Sequence, residues 1–130
     1  MKSFLKYTLI GAVLSLSALS ATAADLTISL TGSDPITRHT VKFQCDGHAG
    51  TLGLPTGVFP VEYLNGNGNS LAVLPIKGHS LIFANVMSGS GARYAADQYV
   101  WWDAGARGIH LYANPDSLSG KDQTSCQPVK

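Results

Sequence analysis

Apolar and polar residues alternate in short runs along most of this chain, and the runs stop at clusters of Gly, Asn, Asp and Pro. Leu26-Thr27-Ile28-Ser29-Leu30 alternates over five residues and ends at Thr31-Gly32-Ser33-Asp34-Pro35. Thr40–Cys45 alternates again and stops at Asp46-Gly47. Successive side chains of a strand point to opposite faces, so a period of two predicts half-buried strands. Val58–Leu64 leads into Asn65-Gly66-Asn67-Gly68-Asn69, residues that tolerate positive φ and so mark a hairpin turn before Ser70–Leu74. Ile76 precedes a second turn at Lys77-Gly78, and Ser80–Ala84, Gln98–Trp102 and Ile109–Tyr112 are further strand candidates. The stretch from Asn114 to Lys130 is polar and turn-rich, with Cys126 expected to pin it back onto the strand that holds Cys45. Seven or eight short strands separated by turns predict an all-β domain, an antiparallel sandwich or small barrel.

The first residues follow another pattern. Lys2 and Lys6 form a positive start, Leu9–Leu19 is an apolar run interrupted only by Gly11, Ser15 and Ser17, and Ala21-Thr22-Ala23 supplies the small residues that a signal peptidase reads. The apolar run is shorter than the roughly 20 residues that span a bilayer. We therefore expect residues 1–23 to be a removed secretory signal and residues 24–130 to be the mature domain. No Cys follows the small-residue site, so attachment in the manner of a bacterial lipoprotein is not expected. The product should be periplasmic and not membrane-anchored.

At 130 residues and 13.7 kDa the chain suits one compact domain. Hydrophobic residues at 45% against 13% charged argue against disorder. A formal charge of +1, which becomes −1 once the two leader lysines are gone, argues against a basic nucleic-acid binder. Both cysteines, Cys45 and Cys126, survive the cut. In an oxidising compartment one disulfide is the natural reading, with a free thiol pair and a metal site as the alternatives. Closing so long a loop removes on the order of 4 kcal/mol of unfolded-chain entropy, comparable to the net stability of a small domain.

Searches for familiar chemistry return little. His39, His48, His79 and His110 lie 9, 31 and 31 residues apart, which places no two on one strand face or on adjacent helical turns, so no metal site or cofactor is expected. Gly89-Ser90-Gly91 begins like a dinucleotide loop but reaches Tyr94 where a third Gly belongs. Ser90, His79 and Asp97 would be the members of a hydrolytic triad, a combination that any β domain of this size contains. One segment stands apart: Ser88-Gly89-Ser90-Gly91-Ala92-Arg93-Tyr94, small and glycine-rich and then basic and aromatic, followed by Tyr99-Val100-Trp101-Trp102. Adjacent tryptophans on a strand face opposite ways, so one of the two is expected outside the core, beside a Gly-Ser loop, as on a recognition surface.

Ser90-Gly91-Ala92-Arg93-Tyr94, coupled to Tyr99-Val100-Trp101-Trp102-Asp103-Ala104-Gly105, resembles the C-type lysozyme inhibitor family of Gram-negative bacteria, whose members are membrane-bound and periplasmic inhibitors. Phe43-Gln44-Cys45-Asp46-Gly47 and Val61-Glu62-Tyr63 resemble the family's aromatic-x-Cys and Val-x-Tyr strands, so the likeness runs from about Val41 to Tyr112. The resemblance implies an eight-stranded antiparallel β-barrel that is not an enzyme. It implies a protein that binds a host C-type lysozyme, a defence-evasion role, with the Ser88–Tyr94 loop in the active-site cleft. It implies a hydrogen bond from Ser90 to one catalytic carboxylate and contacts from Ser88, Gly89, Gly91, Arg93, Tyr94, Tyr99 and Asp103. The family's second motif, Tyr-x-x-x-Thr-Lys-Gly, supplies a lysine for the other carboxylate. Here Asp103 stands in place of the Thr and Ala104 in place of the Lys. Arg107, three residues on, is one candidate to supply the missing charge and Arg93 is the other; the alternatives are that no cation contacts the cleft and binding rests on the Ser90 loop alone, or that a different lysozyme is preferred. Asp97 and Asp103 are expected to flank the loop with negative charge. The alternative reading keeps the barrel as a non-inhibitory envelope interaction module or adhesin. Strand edges would allow a homodimer.

Overall fold

The computed structural model describes residues 23–114 and 120–130; the expected leader, Ala23 apart, lies outside the described residues. The described residues fold as eight antiparallel strands: β1 (Thr37–Cys45), β2 (Phe59–Gly66), β3 (Asn69–Ile76), β4 (His79–Val86), β5 (Ala92–Ala96), β6 (Tyr99–Asp103), β7 (Ile109–Ala113) and β8 (Gln123–Pro128). Each pairs with its neighbours in chain order, and β8 returns to β1 to close the barrel. Every strand thus has two neighbours, but the pairing of β1 with β8 covers only Phe43–Cys45 and that of β4 with β5 only Ala84–Val86, so part of each strand keeps an open edge. Asn67 and Gly68, at φ 50° and 75°, make the β2–β3 hairpin, and Lys77 and Gly78, at φ 50° and 76°, make the β3–β4 hairpin. Two successive positive φ angles give the turn whose twist matches the flanking strands.

The inward residues of the period-two pattern form one core. Phe43, Phe59, Val61, Ala72, Leu74, Phe83, Trp101 and Leu111 are almost wholly buried. Burial of each of the large ones stabilises the fold by about 1.5–3 kcal/mol. Trp101 packs edge-on to Phe43 at 5.2 Å between ring centres, and its indole N–H donates to the Tyr63 hydroxyl at 2.8 Å. A buried tryptophan needs such a partner for its one polar group. Burial pushes the Tyr63 phenol up to about 12, against the opposing pull of the Trp101 hydrogen bond.

The strand pattern differs from expectation in three places. Leu26–Leu30 is not a strand, and Leu26, Ile28 and Leu30 are exposed. The barrel closes without it, through the pairing of β8 with Phe43–Cys45 of β1, and Leu26–Leu30 pairs with no strand. Ala92–Ala96, expected as the end of a loop, is β5, which Tyr94 alone ties to the core as a large residue. The tail, read as polar and turn-rich, supplies β8, whose inward side chains Thr124 and Cys126 are buried.

The closing seam is short. β1 and β8 pair at Phe43↔Pro128, Gln44↔Gln127 and Cys45↔Cys126, and the last pair is the disulfide. Asp46, the next residue, reinforces it: its carboxylate accepts from the Thr124 hydroxyl, from the His48 N–H at 3.0 Å and from the Ser125 N–H at 3.1 Å. These bonds, the Thr124 hydroxyl first, hold its carboxyl below the usual 3.8 against the opposing effect of burial. A folded-state value below the unfolded one means stabilisation that is present above about pH 4 and is lost as pH falls through the folded value. Asp46→Asn should therefore lower the melting temperature at about pH 7 and make little difference at about pH 2, which thermal melts across that range will check.

Candidate functional site

Residues 87–91 join β4 to β5 at one end of the barrel, and Ser90 stands exposed in this loop. Its main chain is fixed: the Ser90 carbonyl accepts from the Trp102 indole N–H at 3.0 Å and from the Ser88 hydroxyl. Its side chain is fixed as well, for the Ser90 Oγ accepts from Arg107 Nη2 at 2.5 Å. Gly91 turns the chain into β5 at φ 68°, and a Cβ there would lie 2.0 Å from the Asp103 carbonyl oxygen. That contact is with backbone of the neighbouring strand, which cannot swing aside, so only glycine fits.

Arg107 comes from a short 3-10 turn, Gly105–Arg107, between β6 and β7. The Asp103 carboxylate accepts from the Gly105 N–H at 2.9 Å, and the Ala104 N–H donates to the Gly108 carbonyl at 2.9 Å. Nε2 of His110 lies 2.9 Å from the Arg107 carbonyl, which can only accept, so this nitrogen donates, and Nδ1 lies 3.1 Å from the Ser125 hydroxyl. The Arg107 guanidinium lies over the Trp102 ring at 4.9 Å from its centre, and that of Arg93 lies 5.2 Å away. Cross-strand register explains the grouping: Arg93, Trp102, His110 and Ser125 form one row across β5 to β8 on the outer face. Tyr112 adds a ring 6.3 Å from Trp102. Among the described residues neither Arg93 nor Arg107 is paired with a carboxylate; the ion pair at 3.6 Å is Arg38–Glu62. The site thus offers two guanidinium groups and a hydroxyl with no counter-charge, an arrangement suited to carboxylates.

The expected site residues divide into two groups. Ser88, Gly89, Ser90, Gly91 and Arg107 gather at the loop, with Arg93 beside them in β5. Tyr94, Tyr99 and Ala104 are buried, at 7%, 4% and 8% exposure. Tyr94 belongs to the barrel wall, its hydroxyl 3.3 Å from Ser70 Oγ, so the loop ends at Gly91 instead of Tyr94. Asp103 turns its carboxylate to the Gly105 N–H. Asp97 lies in the β5–β6 turn and His79 at the start of β4, both at the barrel end opposite Ser90. The five residues of β5 separate the ends by roughly 15 Å. Ser90, His79 and Asp97 therefore form no triad, and Asp97 does not flank the loop. Met87, to which no sequence pattern assigns a role, is 96% exposed at the base of the loop.

Comparison with known proteins identifies one family. The family described as "Membrane-bound lysozyme-inhibitor of c-type lysozyme" matches residues 43–114. A relative from Pseudomonas aeruginosa, named membrane-bound lysozyme inhibitor of C-type lysozyme, is 36% identical over 101 residues, 77% of this chain and 72% of its own length. One of the same name from Cupriavidus necator is 40% identical over 68 residues, 52% of this chain and 48% of its own. Among solved structures, that of Pseudomonas aeruginosa MliC in complex with hen egg white lysozyme matches with a TM-score of 0.62 and 33% identity, covering 83% of this chain and 99% of that one.

The close approach at Gly91 yields a direct check. Gly91→Ala should displace the loop and destabilise the fold by about 1–3 kcal/mol, the usual range for a side chain forced into strained backbone. Gly89→Ala, with open space around its Cβ, should cost under about 1 kcal/mol. Denaturant unfolding of the two variants makes the comparison.

Proposed function

The chain belongs to the family of membrane-bound lysozyme inhibitors of C-type lysozyme, and from that premise we propose that it inhibits a C-type lysozyme by inserting the 87–91 loop into the active-site cleft. The observation that carries the reading is the Ser90–Arg107 pair. A retaining glycosidase sets two carboxyl groups about 5 Å apart, one protonated and one ionised. The Ser90 oxygen takes one N–H from Arg107, which leaves the hydroxyl proton free to donate to one carboxylate. The remaining N–H groups of the same guanidinium are free for the other. Arg107 thereby does the work of the lysine that Ala104 replaces, reaching the same place from three residues further along. The solved complex of the Pseudomonas aeruginosa relative with hen egg white lysozyme supports the choice of partner.

The location follows from the leader. We read residues 1–23 as cleaved after Ala23 and the domain as free in the periplasm of a Gram-negative cell, where it meets lysozyme of host origin. The relatives are named membrane-bound; in this reading Ala24 stands at the position where lipid attachment would require a cysteine. No helix among the described residues is long and apolar enough to cross a membrane.

Ser90→Ala should weaken inhibition of a C-type lysozyme about 10- to 100-fold, the value of a hydrogen bond to a charged group. Arg107→Ala should cost a similar factor and flatten the salt dependence of the inhibition constant; an unchanged constant and salt slope would retire its role. Binding by the wild type without loss of lysozyme turnover would favour the interaction-module reading instead. The intact mass of protein recovered from the periplasm should correspond to a chain starting at Ala24 with no lipid, and a different start or an added acyl mass contradicts the proposed processing.

A further inference from the structure

The proposed contacts use Ser90 and Arg107, and nothing in them calls on Trp102. Yet Trp102 touches both. We propose that Trp102 is a positioning residue, which holds the Ser90 backbone and the Arg107 guanidinium in one geometry before any partner arrives. The proposal rests on the reading of the 87–91 loop as the inhibitory element.

Three observations converge on this one side chain. Its indole N–H donates to the Ser90 carbonyl at 3.0 Å, which fixes the loop. Its ring carries the Arg107 guanidinium at 4.9 Å, and that guanidinium donates to the Ser90 Oγ. The ring is itself braced, with His110 at 6.2 Å and Tyr112 at 6.3 Å between centres, and Arg93 at 5.2 Å. His110 ties the arrangement back to Arg107 through the Arg107 carbonyl. A guanidinium stacked on an aromatic ring presents its flat face to the ring and keeps its edge N–H groups for other partners. Trp102 thus restrains Arg107 without consuming the donors that a carboxylate needs. Arginine otherwise loses much rotamer freedom when it binds, and a side chain already restrained loses less. The Trp102 ring faces outward, opposite in sense to Trp101, so this arrangement is separate from the core.

Trp102→Phe and Trp102→Leu separate the two contacts. Phe keeps a ring beneath Arg107 and loses the N–H; Leu loses both. NMR of the free protein reads the geometry directly, through the ring-current shift of the Arg107 Nε–H resonance and amide exchange at Gly89–Gly91. In the wild type the Arg107 resonance should be shifted upfield. Trp102→Phe should keep part of that shift, speed exchange in the loop and weaken inhibition about fivefold, as for one neutral hydrogen bond. Trp102→Leu should return the resonance to the position of a free arginine and weaken inhibition about 10- to 50-fold. Arg107→Ala should then cost far less in the Trp102→Leu background than in the wild type. Unchanged Arg107 shift and loop exchange in Trp102→Leu, or an Arg107→Ala effect of the same size in both backgrounds, overturns the proposal. If Trp102→Leu fails to give a cooperative melt, Trp102→Phe decides: loop exchange and inhibition equal to wild type overturn it. Should the wild type not inhibit lysozyme at all, the function proposed for the loop fails, whereas the shift and exchange measurements still decide whether Trp102 positions it.

Discussion

The pleat of β6 is the constraint on which the site depends. A strand sends neighbouring side chains to opposite faces, so Trp101 and Trp102 share a backbone segment and have different surroundings. Trp101 fills the barrel and gives its N–H to Tyr63. Trp102 stands outside, gives its N–H to the Ser90 carbonyl and lies beneath the Arg107 guanidinium. The inner indole keeps the outer one in place, because any slip of β6 by one residue would exchange their faces. The rigidity of the core is thereby passed to a loop that has few contacts of its own.

The second requirement is closure. The barrel is sealed by three residue pairs between β1 and β8, together with the Cys45–Cys126 disulfide and the hydrogen bonds of Asp46. Ser125, in the same strand, bonds His110, which in turn bonds the Arg107 carbonyl. The seam and the site are therefore linked by a short run of polar contacts on the outer face. Arg107 is an exposed residue on a three-residue turn, yet its main chain is restrained through β7 and β8 on the same face of the sheet.

Much of this was legible in the chain. Period-two alternation located most of the strands, the Asn-Gly and Lys-Gly turns located two hairpins, and the cysteine count together with the leader pointed to the disulfide. The adjacent tryptophans announced one buried and one outward ring. What was not legible had two causes. Alternation shows that a segment can be half-buried but not that a neighbour exists to pair with it, which is why Leu26–Leu30 read as a strand. Conversely, β5 and β8 carry so few large apolar residues that only their partners make them strands. Missing β5 hid the register that sets Arg93 against Trp102 and that buries Tyr94. The Ser90 loop and Arg107 were found through family motifs, whereas the hydrogen bond between them depends on side-chain placement that no spacing rule supplies.

Because the first strand is sealed by the eighth, the order in which the polypeptide becomes available for folding matters. β1 has one partner as soon as β2 follows it, but its other flank stays open until Gln123–Pro128 has appeared. A ladder between segments so distant in sequence forms slowly, since a long loop must first be closed. The domain therefore cannot mature piecemeal from its amino-terminal side, and a nascent chain halted before the last strand would hold a half-open sheet that is vulnerable to proteases and to pairing with its siblings.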